Sequence, residues 1–300
     1  MKKKLRGPNF FIIGAPKCGT TAMANFLNQH PEVYFSKPKE PMFFCQDLSP
    51  TKYKTFEKYL KSCFFGTNEN HKAIGEGSPL ILYSQEGIPK ILDYYPTAKF
   101  IVMLRNPVKA TVSMHGHNFK GMSQELSREL EQCWHYLPER WEQKKLPLNC
   151  EAPIAFQYDR LYNYFEHLNK LLQLVNKKNL HIILYDDFKK DSLKEYKKIC
   201  GFLNISTKFE PEIKVVNKRS QINMKWYITF LHHLSHMTYN IRKKLKLTHT
   251  GLLNEIIKKN QIPLEKSELS PEFIAEMKQF FREDIIKTSK LINRDLSMWL

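Results

Sequence analysis

Phe11-Ile12-Ile13-Gly14-Ala15-Pro16-Lys17-Cys18-Gly19-Thr20-Thr21 is the stretch on which the fold turns. Residues 9–14 form a short run, apolar after Asn9, of the kind found in strands buried on both faces. Met23, Phe26 and Leu27 then recur with helical spacing over 18–30. A turn of small residues between a strand and a helix leaves backbone N–H groups free at the positive end of the helix dipole, where phosphate binds readily. Gly14 and Gly19 stand in the G-x4-G register of a P-loop, yet the Lys-Ser/Thr pair that should follow is Thr20-Thr21. The lysine sits inside the loop, at Lys17. A lysine there would lie nearer a bridging oxygen on a single 5′ phosphate than the β- and γ-phosphates of a triphosphate.

Working outward, strand patterns over 71–75, 99–104 and 180–185 alternate with helical patterns over 84–95, 108–118, 158–175 and 193–203. That rhythm predicts an α/β protein, a P-loop-like three-layer fold with a central parallel sheet and a helical C-terminal part. Beyond about residue 205 the strand patterns stop. Ser270-Pro271-Glu272 reads as a helix start, with a capping hydroxyl, proline in the first turn and an acid at the positive end. The expectation is one domain over 1–300, with an α/β nucleotide-binding core at 1–205 and a mainly helical part at 206–300 flanking an acceptor cleft.

Composition narrows the function classes. Apolar residues at 42% and aromatics at 13% suffice for a core and exclude wholesale disorder. No run reaches the roughly 18 apolar residues of a membrane span. Lys2-Lys3-Lys4 ahead of the first apolar run imitates a signal peptide, but Gly14-Ala15-Pro16-Lys17 ends that run too early. Six cysteines without a CxxC pair suggest free thiols and a cytoplasmic location. The excess of 47 Lys+Arg over 30 Asp+Glu gives +17, which attracts polyanions, anionic membrane surfaces or a phosphate-bearing small molecule.

Pro16-Lys17-Cys18-Gly19-Thr20-Thr21 resembles the 5′-phosphosulfate loop of sulfotransferases that use 3′-phosphoadenosine-5′-phosphosulfate (PAPS). A second signature of that family is a strand ending in Arg, with a Ser eight positions on. Here Phe100-Ile101-Val102-Met103-Leu104-Arg105-Asn106-Pro107 is followed by Ser113. The resemblance implies that Arg105 and Ser113 share the 3′ phosphate and that Lys218 and Arg219 reach it too. The residues agree physically, since Arg105 falls at the carboxyl end of a strand, and a guanidinium fork suits phosphate. His30-Pro31-Glu32-Val33, Lys39-Glu40-Pro41-Met42-Phe43-Phe44, Gly75-Glu76-Gly77-Ser78-Pro79 and Asn293-Arg294-Asp295-Leu296-Ser297-Met298-Trp299 are similar to bacterial relatives of the heparan-type carbohydrate sulfotransferases. The likeness covers roughly 8–120, 155–220 and 270–300.

Sulfuryl transfer is an in-line displacement in which positioning and charge stabilisation do most of the work, with no obligatory metal. Lys17 is the candidate for neutralising charge on the leaving phosphate. The resemblance implies Glu40, just before paired aromatics, as the base that deprotonates a saccharide or other small acceptor. Glu76 is the alternative, and His115 and His117 are weaker ones. Family members often carry a lysine directly after the glutamate at 76; here Gly77 stands there.

Three rival readings start from other residues. An apolar strand followed by Asp186-Asp187 resembles the magnesium-holding acid of P-loop kinases, while Thr20 occupies the place of the ATP lysine. Residues 214–260 hold ten Lys/Arg against the single acid Glu255, with Trp226, Tyr227, Phe230 and Tyr239 interleaved. That pattern suits a polyanion or a peripheral membrane contact, or an ordinary helix with a solvated face; in the sulfotransferase reading it favours an anionic acceptor, with no nucleic acid expected. His232, His233 and His236 invite zinc, but no acid or cysteine nearby completes a ligand set. A phosphatase loop on Cys18 would need arginine at position 24, which is Ala24.

Overall fold

The computed structural model of the 300-residue chain describes residues 6–120, 125–148, 150–213, 220–222, 261–263 and 269–300. Its centre is a five-stranded, wholly parallel sheet in the order β2-β3-β1-β4-β5. The strands are β1 (Phe10–Gly14), β2 (Val33–Phe35), β3 (Ala73–Glu76), β4 (Lys99–Leu104) and β5 (Leu180–Leu184). Phe10 to Ile13 and Phe100 to Leu104 are fully buried. Both faces of the two middle strands are covered, which is why they read as unbroken apolar runs. At roughly 1.5–3 kcal/mol per buried large side chain, these two strands anchor the core.

Parallel pairing puts every strand's carboxyl end on one edge, with Phe10 opposite both Gly75 and Lys99 and Phe100 opposite Leu180. The chain leaves β1 toward β2 on one side and later places β4 and β5 on the other. The strand order therefore reverses at β1/β4, where open α/β sheets hold their ligands.

Helices cover the sheet. Those given by the alternation are α1 (Thr20–Leu27), α3 (Gly87–Tyr94), α4 (Pro107–Lys120) and α10 (Ser192–Leu203), while a short α9 (Tyr185–Lys190) follows β5 where no helix was expected. The single helix expected over 158–175 is two, α7 (Tyr158–Tyr162) and α8 (Tyr164–Leu174). Asn163 leaves helical geometry, and both oxygens of the Asp284 carboxylate accept from the amides of Tyr164 and Phe165 at 2.9 Å, starting the helix afresh. β2 and α2 (Phe56–Cys63) were not legible: three residues are too few for a strand pattern, and α2 is capped by Thr55, whose side chain accepts from Lys58 N–H.

The C-terminal part corrects the expectation that strands end near 205. Ser220–Ile222 (β6) pairs antiparallel with Gln261–Pro263 (β7), segments too short to show alternation. The helix start at 270 is as expected. Ser270 accepts from Phe273 N–H, and α11 (Pro271–Ile292) buries Phe273, Met277, Phe281 and Ile285. Between α4 and α7 lie α5 (Leu130–His135) and α6 (Leu137–Trp141). That insert is pinned by a fully buried pair, Arg140 on Glu125 at 2.5 Å, with Tyr158 also donating to Glu125. The basic stretch over 214–260, with Lys218, Arg219, His232, His233 and His236, lies outside the described residues apart from 220–222. Among the described residues no helix is long and apolar enough to cross a membrane.

Candidate active site

The phosphate loop is built from the end of β1. Ala15 N–H donates to the Met103 carbonyl of β4 at 2.8 Å, tying the loop to the neighbouring strand. A Cβ at Gly14 would lie 2.9 Å from Leu82 and 3.2 Å from the Pro79 carbonyl, so the 3₁₀ turn Pro79–Tyr83 requires glycine there. Lys17 (φ 61) and Gly19 (φ 97) both adopt the left-handed conformation. Such turns direct backbone N–H groups into a concavity suited to an anion. α1 follows with no side-chain cap and no acid in its first turn, so its positive end faces the loop uncompensated.

Tyrosines support the loop from beneath. Tyr162 donates to the Pro16 carbonyl at 3.2 Å, and Tyr164 donates to the Arg105 carbonyl at 2.9 Å. The Cys18 thiol donates to the Pro16 carbonyl at 3.4 Å and lies 3.6 Å from the Tyr164 hydroxyl. Burial pushes that thiol up to about 12, so Cys18 fills space beneath the loop and is no nucleophile. Thr20 is buried and Thr21 exposed.

Arg105 emerges from β4 beside this loop. Its Nη1 donates to the Lys17 carbonyl at 3.1 Å, and its guanidinium stacks 4.6 Å from the centre of the Tyr185 ring. The Tyr185 ring also abuts Gly19, where a Cβ would come within 3.0 Å of it. Arg105 Nε is buried with no hydrogen-bond partner. An orphaned guanidinium N–H in a planar fork fits a phosphate acceptor, and buried donors of this kind ordinarily find a partner. Ser113 stands half-buried about two turns into α4.

The acceptor-side candidates separate. Glu40 is partly exposed and ion-paired with Lys39, on an irregular segment after β2. Glu76, at the end of β3, is fully buried and accepts from Tyr59 at 2.5 Å and Ser78 at 2.7 Å. Burial raises its carboxyl to about 7 against those two hydrogen bonds. Both its oxygens are engaged inside the protein. Of the two carboxylates, Glu40 is the exposed one. His115 turns inward, with Nε2 3.1 Å from the Ser127 carbonyl, and burial lowers its proton affinity. His117, two residues on, is exposed.

Asp186 and Asp187 are accounted for otherwise than by magnesium. The indole of Trp299 donates to Asp186 at 2.8 Å, and Arg294 donates to Asp187 at 2.6 Å. Asn106 donates to the Trp299 carbonyl at 3.2 Å. The C-terminal residues are thus tied to the elements that follow β4 and β5. Tyr162, Tyr164 and Tyr185 escaped the sequence reading. Tyr185 had a usable signal, because it directly follows a strand whose carboxyl end faces the site.

The model of the sulfotransferase domain matches residues 7–289, and the chain belongs to that family. It is 25% identical over 269 residues to carbohydrate sulfotransferase 15 of Mus musculus, covering 73% of this chain and 47% of that protein. It is 26% identical over 199 residues to heparan sulfate glucosamine 3-O-sulfotransferase 5 of Mus musculus, covering 66% and 54%. A 130-residue stretch is 28% identical to the membrane-associated sulfotransferase kil1 of Dictyostelium discoideum, covering 43% and 27%. The chain spans about half or less of the length of these relatives. A solved sulfotransferase from Alicyclobacillus acidocaldarius superposes with a TM-score of 0.72 at 24% identity, covering 98% of this chain and 99% of that one, and shares the fold.

Proposed function

We propose that this protein transfers the sulfuryl group of PAPS to a hydroxyl or amine of a saccharide acceptor. The observation that carries the reading is the junction of loop and arginine at β1/β4, where Arg105 is locked to the Lys17 carbonyl with Nε left unpartnered. The loop from Pro16 to Thr21 would hold the 5′ phosphosulfate, and Arg105 with Ser113 the 3′ phosphate. Lys218 and Arg219 would add positive charge from outside the described residues.

In this mechanism the acceptor oxygen or nitrogen attacks sulfur in line while Glu40 takes its proton. The bond from sulfur to the phosphate oxygen breaks, and its electron pair goes to that oxygen, where Lys17 neutralises the developing charge. The products are a sulfated acceptor and 3′,5′-ADP. The family often carries a lysine at the place of Gly77. Here a Cβ at 77 would lie 3.7 Å from Lys39 Cε, so Lys39 can supply that cation from the neighbouring segment. A saccharide acceptor is supported by the carbohydrate- and heparan-directed relatives, and the charge of +17 favours an anionic one. The unpaired cysteines support a reducing, cytoplasmic setting.

Calorimetric titration with 3′,5′-ADP, alongside ATP with magnesium, tests the donor. Metal-independent binding of 3′,5′-ADP is expected, and preference for ATP with magnesium would sink the reading. Transfer of radiolabelled sulfate from PAPS to desulfated heparan sulfate should fall about 100-fold or more in Glu40→Gln.

A further inference from the structure

Glu40 stands on a bridge between two fixed points, and both are set by the turn that ends β3. On its N-terminal side, the Lys39 carbonyl accepts from Gly77 N–H at 3.3 Å and from the Ser36 hydroxyl at 3.0 Å. The Lys39 ammonium reaches the Gly77 carbonyl at 3.3 Å while pairing with Glu40. On its C-terminal side, Met42 N–H donates to the Ser78 hydroxyl oxygen at 3.2 Å. Phe43 then stacks on Tyr59 with ring centres 4.6 Å apart.

Met42 has φ 56, a left-handed conformation that a side chain of its length takes only when its surroundings hold it there. The Ser78 contact is that hold, and Glu76 orients it. The Ser78 hydroxyl donates to Glu76 at 2.7 Å, so a lone pair of its oxygen remains for Met42 N–H. Tyr59 donates to the other carboxylate oxygen, so the residue that fixes Glu76 also carries the Phe43 ring. A purely structural core would be better served by an apolar side chain than by a buried carboxylate that, among the described residues, has no directly bonded cation.

We propose that Glu76, acting through Ser78, is the positioning residue that sets where Glu40 stands. The role rests on the sulfotransferase reading and deepens it on the acceptor side. Glu76 itself touches no acceptor.

The test uses the full chain with Ser78→Ala, Ser78→Thr and Glu76→Gln. Ser78→Ala should speed hydrogen exchange over residues 37–44 about tenfold while leaving 15–27 unchanged, because Met42 N–H loses its partner. Turnover on desulfated heparan sulfate or 4-nitrophenol, whichever the unsubstituted chain sulfates, should fall about tenfold, with KM for PAPS and affinity for 3′,5′-ADP within twofold. Ser78→Thr keeps the hydroxyl and should restore both readouts; Glu76→Gln should lie between. Unchanged exchange in Ser78→Ala overturns the role. So does native turnover despite faster exchange, or a fall in 3′,5′-ADP affinity that parallels the fall in turnover. If the unsubstituted protein does not bind 3′,5′-ADP, the functional reading fails and this role fails with it; the preceding outcomes overturn the role alone.

Discussion

The donor and acceptor sides of the site are held by different means. The phosphate loop and Arg105 grow directly from β1 and β4, two adjacent strands with fully buried residues, and are joined through Ala15, Met103 and Lys17. Glu40 instead sits on an irregular segment beyond the three-residue edge strand β2, and contacts with the 76–78 turn place it. Central strands over-determine what leaves their ends. A segment beyond an edge strand depends on individual contacts with the neighbouring turn, so substitutions there should leave the loop and Arg105 undisturbed.

That contrast can be broken most directly at Lys17. Lys17→Ala should lower turnover by about 10²–10³-fold while weakening 3′,5′-ADP less than tenfold, since its charge acts mainly on the leaving oxygen. Equal losses in both would make Lys17 a binding residue only. Next comes the pH dependence of stability on the acceptor side. An unfolded glutamate ionises near 4.5, whereas Glu76 in the fold does so at about 7. Between those values the unfolded chain has released a proton the folded one keeps, so this group's contribution falls as pH rises, by up to about 3 kcal/mol. Urea unfolding at a series of pH values should show that slope in the native chain and lack it in Glu76→Gln.

On the donor side, Arg105→Ala should weaken 3′,5′-ADP by about 2 kcal/mol and leave 5′-AMP within a few-fold, measured by calorimetry. A matching loss for 5′-AMP would mean that the arginine only braces the loop. The smallest effect belongs to the C-terminal tether. Arg294→Ala should cost less than about 1 kcal/mol of stability, because the pair with Asp187 is 45% and 39% exposed, and should leave nucleotide affinity unchanged. A larger effect on affinity would make the tether part of the donor side.

How much could be read beforehand follows the same division. The turn over Pro16–Gly19 between β1 and α1, and Arg105 directly after β4, were legible because strand, turn and helix are contiguous in the chain. Glu40 was singled out only by resemblance. Glu76 looked like a second base until its burial and its bonds to Tyr59 and Ser78 placed it inside the protein. Asp186 and Asp187 looked like magnesium ligands until Trp299 and Arg294, more than a hundred residues away, occupied them. The break at Asn163 depended on Asp284 in the same way.

The amino-acid sequence by itself determined the α/β rhythm, the phosphate-loop register with its lysine inside the loop, and the arginine at the end of β4. Each of these is local, since hydrophobic period, turn chemistry and strand-end position act within about twenty residues. Only the tertiary structure decided which of the two carboxylates, Glu40 or Glu76, is exposed, what the paired aspartates hold, and how Tyr185 packs on Arg105. Those outcomes rest on burial and on hydrogen bonds between segments far apart in the chain, and such partners are chosen only when the sheet and its covering helices bring them together.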